Sequence, residues 1–268
     1  MTDVLLINGS PRAGSNTRAI ITYLEDRLTD LGAAVDQFHI TARGPSDEEL
    51  ERFLAATRHY ESIVFASPLY FDGLPAVTQA FLERVHRILV ERSLAGEAAT
   101  AVNSIDTARI RRRVGSRLPL AEREKGRRAR PAPDPVSAAG PLFYGLIHSG
   151  FVEPAQRRPA IWTLELFARA MQWPWRGAIS LGGTSPIDGR PLDEVGRLAA
   201  VAREGLALAS REIVCGRPLS TDTLLVCDRS PFALLPRSVA MGVINARTRS
   251  YARKKGIDVS ARPYSGCM

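Results

Sequence analysis

Apolar residues in this chain come as short unbroken runs joined by stretches of helical spacing. "VLLI", residues 4–7, is uniformly apolar and runs into the turn-rich "NGSPRAGSN". A run without polar alternation predicts a strand buried on both faces. Helical spacing follows, predicting a helix from about Thr17 to Leu31 with Gly32 as its stop. "AVDQFHI" (34–40) alternates apolar and polar and predicts a second strand. "SDEELERFLAATRHY" (46–60) opens on a serine with a glutamate three residues on, a capping-box start for a helix. "SIVFAS" (62–67) predicts another buried strand and "AVTQAFLERVHRIL" (76–89) the helix after it. Beyond residue 140 come a strand at "LFYGLIHS" (142–149), a helix at 159–172, a strand at "GAISLGG" (177–183) and one long helix over 191–214. A last helix is expected from about Ser238 to Lys255, ending at Gly256.

Strand and helix alternate five times. That pattern implies a doubly wound α/β fold, a mostly parallel sheet with helices on both faces. The pattern divides the chain into a domain over 1–214, interrupted by an insertion at 93–139, and an extension over 215–268. With 45% apolar and 24% charged residues among 268, the chain has the make-up of a soluble protein with a sizeable core. No run of about 18 apolar residues predicts a membrane span, and no basic-then-apolar leader begins the chain. The three cysteines, Cys215, Cys227 and Cys267, lie at no metal spacing. A reducing compartment, the cytoplasm, is therefore the expected location.

Charge adds one feature. The insertion carries ten basic and five acidic residues, more than half of the chain's net +8. It has no Phe, Tyr or Trp, so nucleic-acid binding, which uses interleaved aromatics for stacking, is weakly supported. A proline-rich arginine loop on the surface, or a basic rim that attracts phosphorylated cofactors, fits better.

The candidate chemistry lies in the first loop. A strand, a glycine-containing turn and a helix start commonly hold a phosphate. Gly9 and Gly14 have the spacing of a nucleoside-triphosphate loop, but the lysine and adjacent hydroxyl that would follow are Ser15 and Asn16. The G-x-G-x-x-G pattern for a dinucleotide is absent too. What remains is Ser10, Ser15, Asn16 and Thr17 with backbone N–H groups, suited to one terminal phosphate without a metal, and Arg12 to add a charge-assisted bond. The same residues also suit plain helix capping, and the two roles are compatible. The second loop, "SPLYFDGLPA", leaves the third strand with Pro68, Leu69, Tyr70, Phe71 and Gly73, which can border a flat ring. A monophosphate at one loop and a ring at the next describe flavin mononucleotide (FMN).

"NGSPRAGSNT" and "SPLYFDGLPAVTQAFLERV" resemble the NADPH-dependent FMN reductase family of flavodoxin-like proteins. Gln79 and Glu83 stand where that family usually has lysine and aspartate. "LIHSGFVEP" and "NARTRSYARKKGIDVSARPY" are similar to flavodoxin-family oxidoreductases as well. The resemblance implies a five-stranded parallel sheet in the order 2-1-3-4-5. It implies phosphate contacts from Ser10, Arg12, Ser15, Asn16 and Thr17. It places Pro68, Leu69, Tyr70, Phe71 and Gly73 along the isoalloxazine, with Ser149, Gly150 and Phe151 closing its other side. It further implies NADPH or NADH as electron donor, a small-molecule electron acceptor, and a homodimer or homotetramer. The cysteine cluster of iron–sulfur relatives is absent, so flavin alone is expected.

On this reading no side chain is required as a nucleophile. Hydride would pass from the nicotinamide to flavin N5 and on to an acceptor in ping-pong fashion. Tyr70 and His148 are candidates for hydrogen bonding near the ring, though His148 equally suits a structural role at a strand end. Three classes stay open: an NAD(P)H-dependent FMN oxidoreductase, a flavodoxin-type electron carrier, and a nucleic-acid-associated protein using the basic insertion. The net positive charge disfavours the carrier, since such carriers are usually acidic.

Overall fold

The computed structural model describes residues 2–103, 140–231 and 237–258. Most of the basic insertion (104–139) and Cys267 lie outside the described residues, so the expectations placed on them do too. Five parallel strands form one sheet in the order β2-β1-β3-β4-β5. They are β1 (Asp3–Asn8), β2 (Ala34–His39), β3 (Ser62–Pro68), β4 (Leu142–His148) and β5 (Trp175–Leu181). This is the flavodoxin-like order expected from the sequence.

The apolar runs form strands because both faces of the sheet are covered. In β1, Val4 and Leu6 point into one core, while Leu5 and Ile7 point into the other. The first core packs β1, β3, β4 and β5 against α1 (Asn16–Asp30) and α5 (Ala200–Val214) through Ile20, Leu24, Leu28, Leu206 and Ile213. The second lies under α2 (Asp47–Thr57), α3 (Ala76–Asn103) and α4 (Arg158–Ala170) and is rich in aromatic rings. Phe38, Phe53, Phe81, Phe65, Phe143 and Trp173 follow one another with ring centroids 4.9 to 6.3 Å apart. Of the three tryptophans, Trp173 is buried, Trp175 is half-buried and Trp162 is exposed.

Local signals set the helix ends. Ser15 caps α1, its hydroxyl accepting from the Arg18 N–H, and Gly32 ends the helix with φ 84°. In α2 the expected capping box forms: the Ser46 hydroxyl accepts from Glu49 N at 3.2 Å, and Ser46 N donates to the Glu49 carboxylate at 2.7 Å. The two departures from the family pattern, Gln79 and Glu83, bond to each other at 3.0 Å on the exposed side of α3.

Two elements differ from the sequence reading. First, α3 continues past residue 89 into the basic segment as far as Asn103. Second, the long helix over 191–214 is broken. Residues Leu192–Ala199 form a 3-10 segment kinked at Gly196, whose φ 69° and ψ −138° are open to glycine alone, and α5 begins at Ala200. The extension also contributes to the core. A short helix, α6 (Thr221–Asp228), packs on α5 and β5, and Leu219 and Cys227 join the first core. Gly205 on α5 admits this crossing, because a Cβ there would stand 2.5 Å from Cys227 Sγ. The tail helix, α7 (Arg237–Lys254), ends at Gly256 as expected.

The break at Gly196 makes a prediction of opposite sign to the unbroken helix. No atom lies within 4 Å of the position a Cβ would take, so only backbone conformation is at stake. In a continuous helix Gly196→Ala would stabilise by about 0.5–1 kcal/mol. In this backbone it destabilises by about 1–3 kcal/mol, read as a lowered denaturation midpoint. A stabilised variant would show that the kink is absent.

Candidate functional site

Four loops leave the carboxyl ends of β1, β3, β4 and β5 and enclose a cavity of about 350 Å³. The cavity lies where the chain turns from β1 outward to β2 and returns to β3, the crevice expected of an open α/β sheet. Its volume lies in the range of small-molecule and cofactor sites.

The loop after β1 passes close over its neighbours. Gly9 N donates to Ala66 O at 2.7 Å, and a Cβ on Gly9 would meet Ala66 O at 3.0 Å and the Phe65 ring at 3.2 Å. Asn8 Oδ1 accepts from Ser10 N at 2.9 Å, and Ser10 Oγ from Arg12 N at 3.4 Å. Ser15 Oγ accepts from Arg18 N at 3.3 Å. Both serine hydroxyls thus take backbone N–H groups as acceptors, which leaves their own protons to donate. The first N–H groups of α1 have no partner within the helix, and they stand at its positive end.

Asn16 and Thr17 are used differently. The Asn16 amide donates to Thr184 O at 2.9 Å and accepts from Gly189 N at 2.8 Å, tying the start of α1 to the loop after β5. Thr17 is fully buried, with its hydroxyl 2.8 Å from His148 Nε2. His148 Nδ1 lies 3.1 Å from Thr184 Oγ1, which donates to Ser149 O at 3.0 Å. One proton per hydroxyl fixes the direction of this chain. Thr184 gives its proton to Ser149 and accepts from His148 Nδ1–H, so Nε2 is bare and accepts from Thr17. The Thr17 hydroxyl proton is therefore committed inside the protein. Burial, and then the charge of Arg12, push the His148 pKa down to about 3, so the imidazole is neutral.

Ten of the thirteen expected binding residues line the cavity: Ser10, Arg12, Ser15, Asn16, Thr17, Pro68, Leu69, Tyr70, Ser149 and Gly150. Arg12 spans two loops, its guanidinium carbon 5.6 Å from the centroid of the Tyr70 ring. Phe71, Gly73 and Phe151 do not line the cavity. Phe71 and Asp72, at φ 48° and 61°, form the tip of a two-residue turn closed by hydrogen bonds between Tyr70 and Gly73, and the Phe71 ring is fully exposed. Phe151 is more than half exposed; its backbone carbonyl accepts from the Ser149 hydroxyl at 2.8 Å. Sequence reasoning missed the β5 loop, which brings Thr184, Ser185, Asp188 and Gly189 to the lining. "GGTSPIDGR", residues 182–190, carries the signal that points to it, a turn rich in glycine and short hydroxyl side chains between a strand and a helix.

The donor set fits FMN. Two serine hydroxyls with a proton to give, the start of α1 and the Arg12 cation line the same cavity, a set suited to a phosphate. Pro68, Leu69 and Tyr70 line it together with Ser149 and Gly150 of the neighbouring loop. Among the described residues no group of three or more His, Cys, Asp or Glu could hold a metal ion, and no helix is long and apolar enough to cross a membrane.

Residues 2–114 match the model of the NADPH-dependent FMN reductase family. The match runs from β1 through α3 and includes both the Ser10–Thr17 and Pro68–Gly73 loops. No curated protein matches the chain. Among solved structures, an NAD(P)H:quinone oxidoreductase from Methanothermobacter marburgensis is similar at 13% identity and a TM-score of 0.48, over 79% of this chain and 96% of that one. An azoreductase from Bacillus anthracis is similar at 12% identity and a TM-score of 0.47, over 79% of this chain and 100% of the other.

The buried histidine predicts a pH dependence. The unfolded chain protonates His148 near pH 6.5, while the folded protein resists until about pH 3. Below 6.5 the unfolded state binds more protons, so stability is lost as pH falls through this window. In His148→Gln the loss between pH 6.5 and 5, above the range of most carboxylates, is shallower than in the wild type, measured by urea denaturation. Parallel slopes would mean that His148 titrates alike folded and unfolded.

Proposed function

We propose that this protein is an FMN-dependent oxidoreductase that moves hydride from NAD(P)H to a small acceptor. The acceptor is a quinone, a free flavin, a nitro compound or a biosynthetic intermediate, and donor and acceptor use the same face of the ring in turn. The observation that carries this reading is the set of uncommitted donors, Ser10 and Ser15 hydroxyls beside the start of α1, facing a cavity next to Arg12. The family match over both loops supports it.

FMN, when bound, supplies the two-electron chemistry. Ser10, Ser15, Arg12 and the first N–H groups of α1 hold its phosphate. Asn16 acts by fixing the β5 loop against α1, and Thr17 by its backbone N–H, since its hydroxyl serves His148. Pro68, Leu69 and Tyr70 on one side, with Ser149 and Gly150 on the other, position the ring and exclude water. His148 has both ring nitrogens engaged and a strongly lowered pKa, so it holds the walls together and moves no proton. The working assembly is a homodimer or larger; Trp162 and Leu166, one turn apart on α4, are 59% and 63% exposed and available to a second copy.

The test is the visible spectrum of the FMN-loaded protein, without oxygen, before and after NADPH. The proposal expects bound flavin that bleaches promptly, in a sample that sediments as a dimer or larger. Flavin that stays oxidised with both NADPH and NADH would make the protein a carrier instead. Absence of bound flavin would reduce the first loop to a helix cap, and a flavin-loaded monomer would remove the oligomer from the proposal.

A further inference from the structure

Arg157 is fully buried, one of the largest side chains without access to water. It precedes α4 on the helix's inner stripe, ahead of Ala160, Leu164 and Phe167, where an apolar residue would be ordinary. Each of its three guanidinium nitrogens has a partner. Nε donates to Ser180 Oγ at 2.8 Å. Nη1 reaches Phe151 O and Glu153 O at 3.3 Å and Ser149 Oγ at 3.5 Å. Nη2 pairs with Asp228 Oδ1 at 3.3 Å. Gly182 leaves it room, because a Cβ there would stand 2.6 Å from Nη1. Three of these groups belong to the loop after β4, whose Ser149 lines the cavity. A buried cation therefore stands one hydrogen bond behind the cavity wall.

Its countercharge, Asp228, does not line the cavity. Asp228 ends α6, with a side chain 44% exposed and so partly screened by water. Burial lowers the Arg157 pKa and Asp228, then Glu153, raise it, in keeping with a cation held in place by those acids. Packing alone does not call for such an arrangement, since apolar side chains of similar volume often serve at least as well as a buried ion pair.

We propose that Arg157 positions the β4 loop along the flavin and, as a fixed charge behind it, biases the flavin toward its reduced form, with Asp228 setting the strength of that bias. The inference rests on the FMN reading above. Hydride leaving the nicotinamide converts it to the oxidised cation and gives the flavin ring two electrons, one proton and one added negative charge. A fixed cation nearby in a medium of low dielectric favours that product. Residues of α6, outside the family match, thereby tune a site built mostly within it.

The experiment measures the reduction equilibrium of bound FMN against a reference dye, alongside the affinity for oxidised FMN, in wild type, Asp228→Asn, Arg157→Lys and Arg157→Gln. Asp228→Asn removes the countercharge at a half-exposed position and keeps the cation. It is expected to shift the equilibrium toward reduced flavin about tenfold, about 30 mV for a two-electron couple, with the affinity for oxidised FMN changed less than about threefold. Arg157→Lys keeps the charge and stays near wild type, while Arg157→Gln shifts about tenfold the other way. A purely structural role predicts no shift in Asp228→Asn, and an equilibrium within about twofold of wild type overturns the proposal. Should Arg157→Gln fail to fold, Asp228→Asn decides alone. A wild type that binds no FMN overturns this inference together with the functional reading, whereas normal FMN binding with an unmoved equilibrium overturns this inference only.

Discussion

A parallel strand buried on both faces constrains everything around it. β1, β3 and β4 have no solvent face, so each must be apolar on both sides, with helices covering both. Each crossover then leaves and returns at opposite ends of the sheet, and the loops at the carboxyl edge converge. Because β2 and β3 lie on opposite sides of β1, the first two crossovers diverge and open a crevice. The cavity is thus a consequence of the strand order. Its chemistry is a matter of which short polar side chains stand at its rim.

Those side chains divide into ones that brace the rim and ones that stay available. Asn16, Thr17, His148 and Thr184 spend their hydrogen bonds on one another and on loop backbone, locking α1, β4 and the β5 loop together. Ser10 and Ser15 accept from the backbone and keep a proton for a ligand. Arg157 braces the opposite wall from behind. The loops that would touch a flavin are fixed by groups that would not, which is how a binding geometry can exist before the ligand arrives.

The strands and the first phosphate loop were readable because their signals are local. "VLLI" and "SIVFAS" are too uniformly apolar for a half-exposed strand, and "NGSPRAGSN" lacks the lysine of a triphosphate loop. The break at Gly196 was not readable, because apolar spacing runs on through it while only the backbone angles change. α6 is eight residues long, too short for a period to declare itself. Phe71 and Phe151 look like ring partners by residue type, yet turn geometry sets where a loop side chain points, and both are exposed. Arg157 had a signal, a charge on the buried stripe of α4, but "QRRP" offers two arginines, and folding alone shows which of them turns inward.

The central claim is that the cavity recognises a flavin by its terminal phosphate. The most direct measurement is a titration of the flavin-free protein with FMN and, side by side, with riboflavin, which has the same ring and no phosphate. Two or more charge-assisted hydrogen bonds to the phosphate predict FMN binding at least about 100-fold tighter. Equal affinity for the two, or binding of neither, would contradict the account.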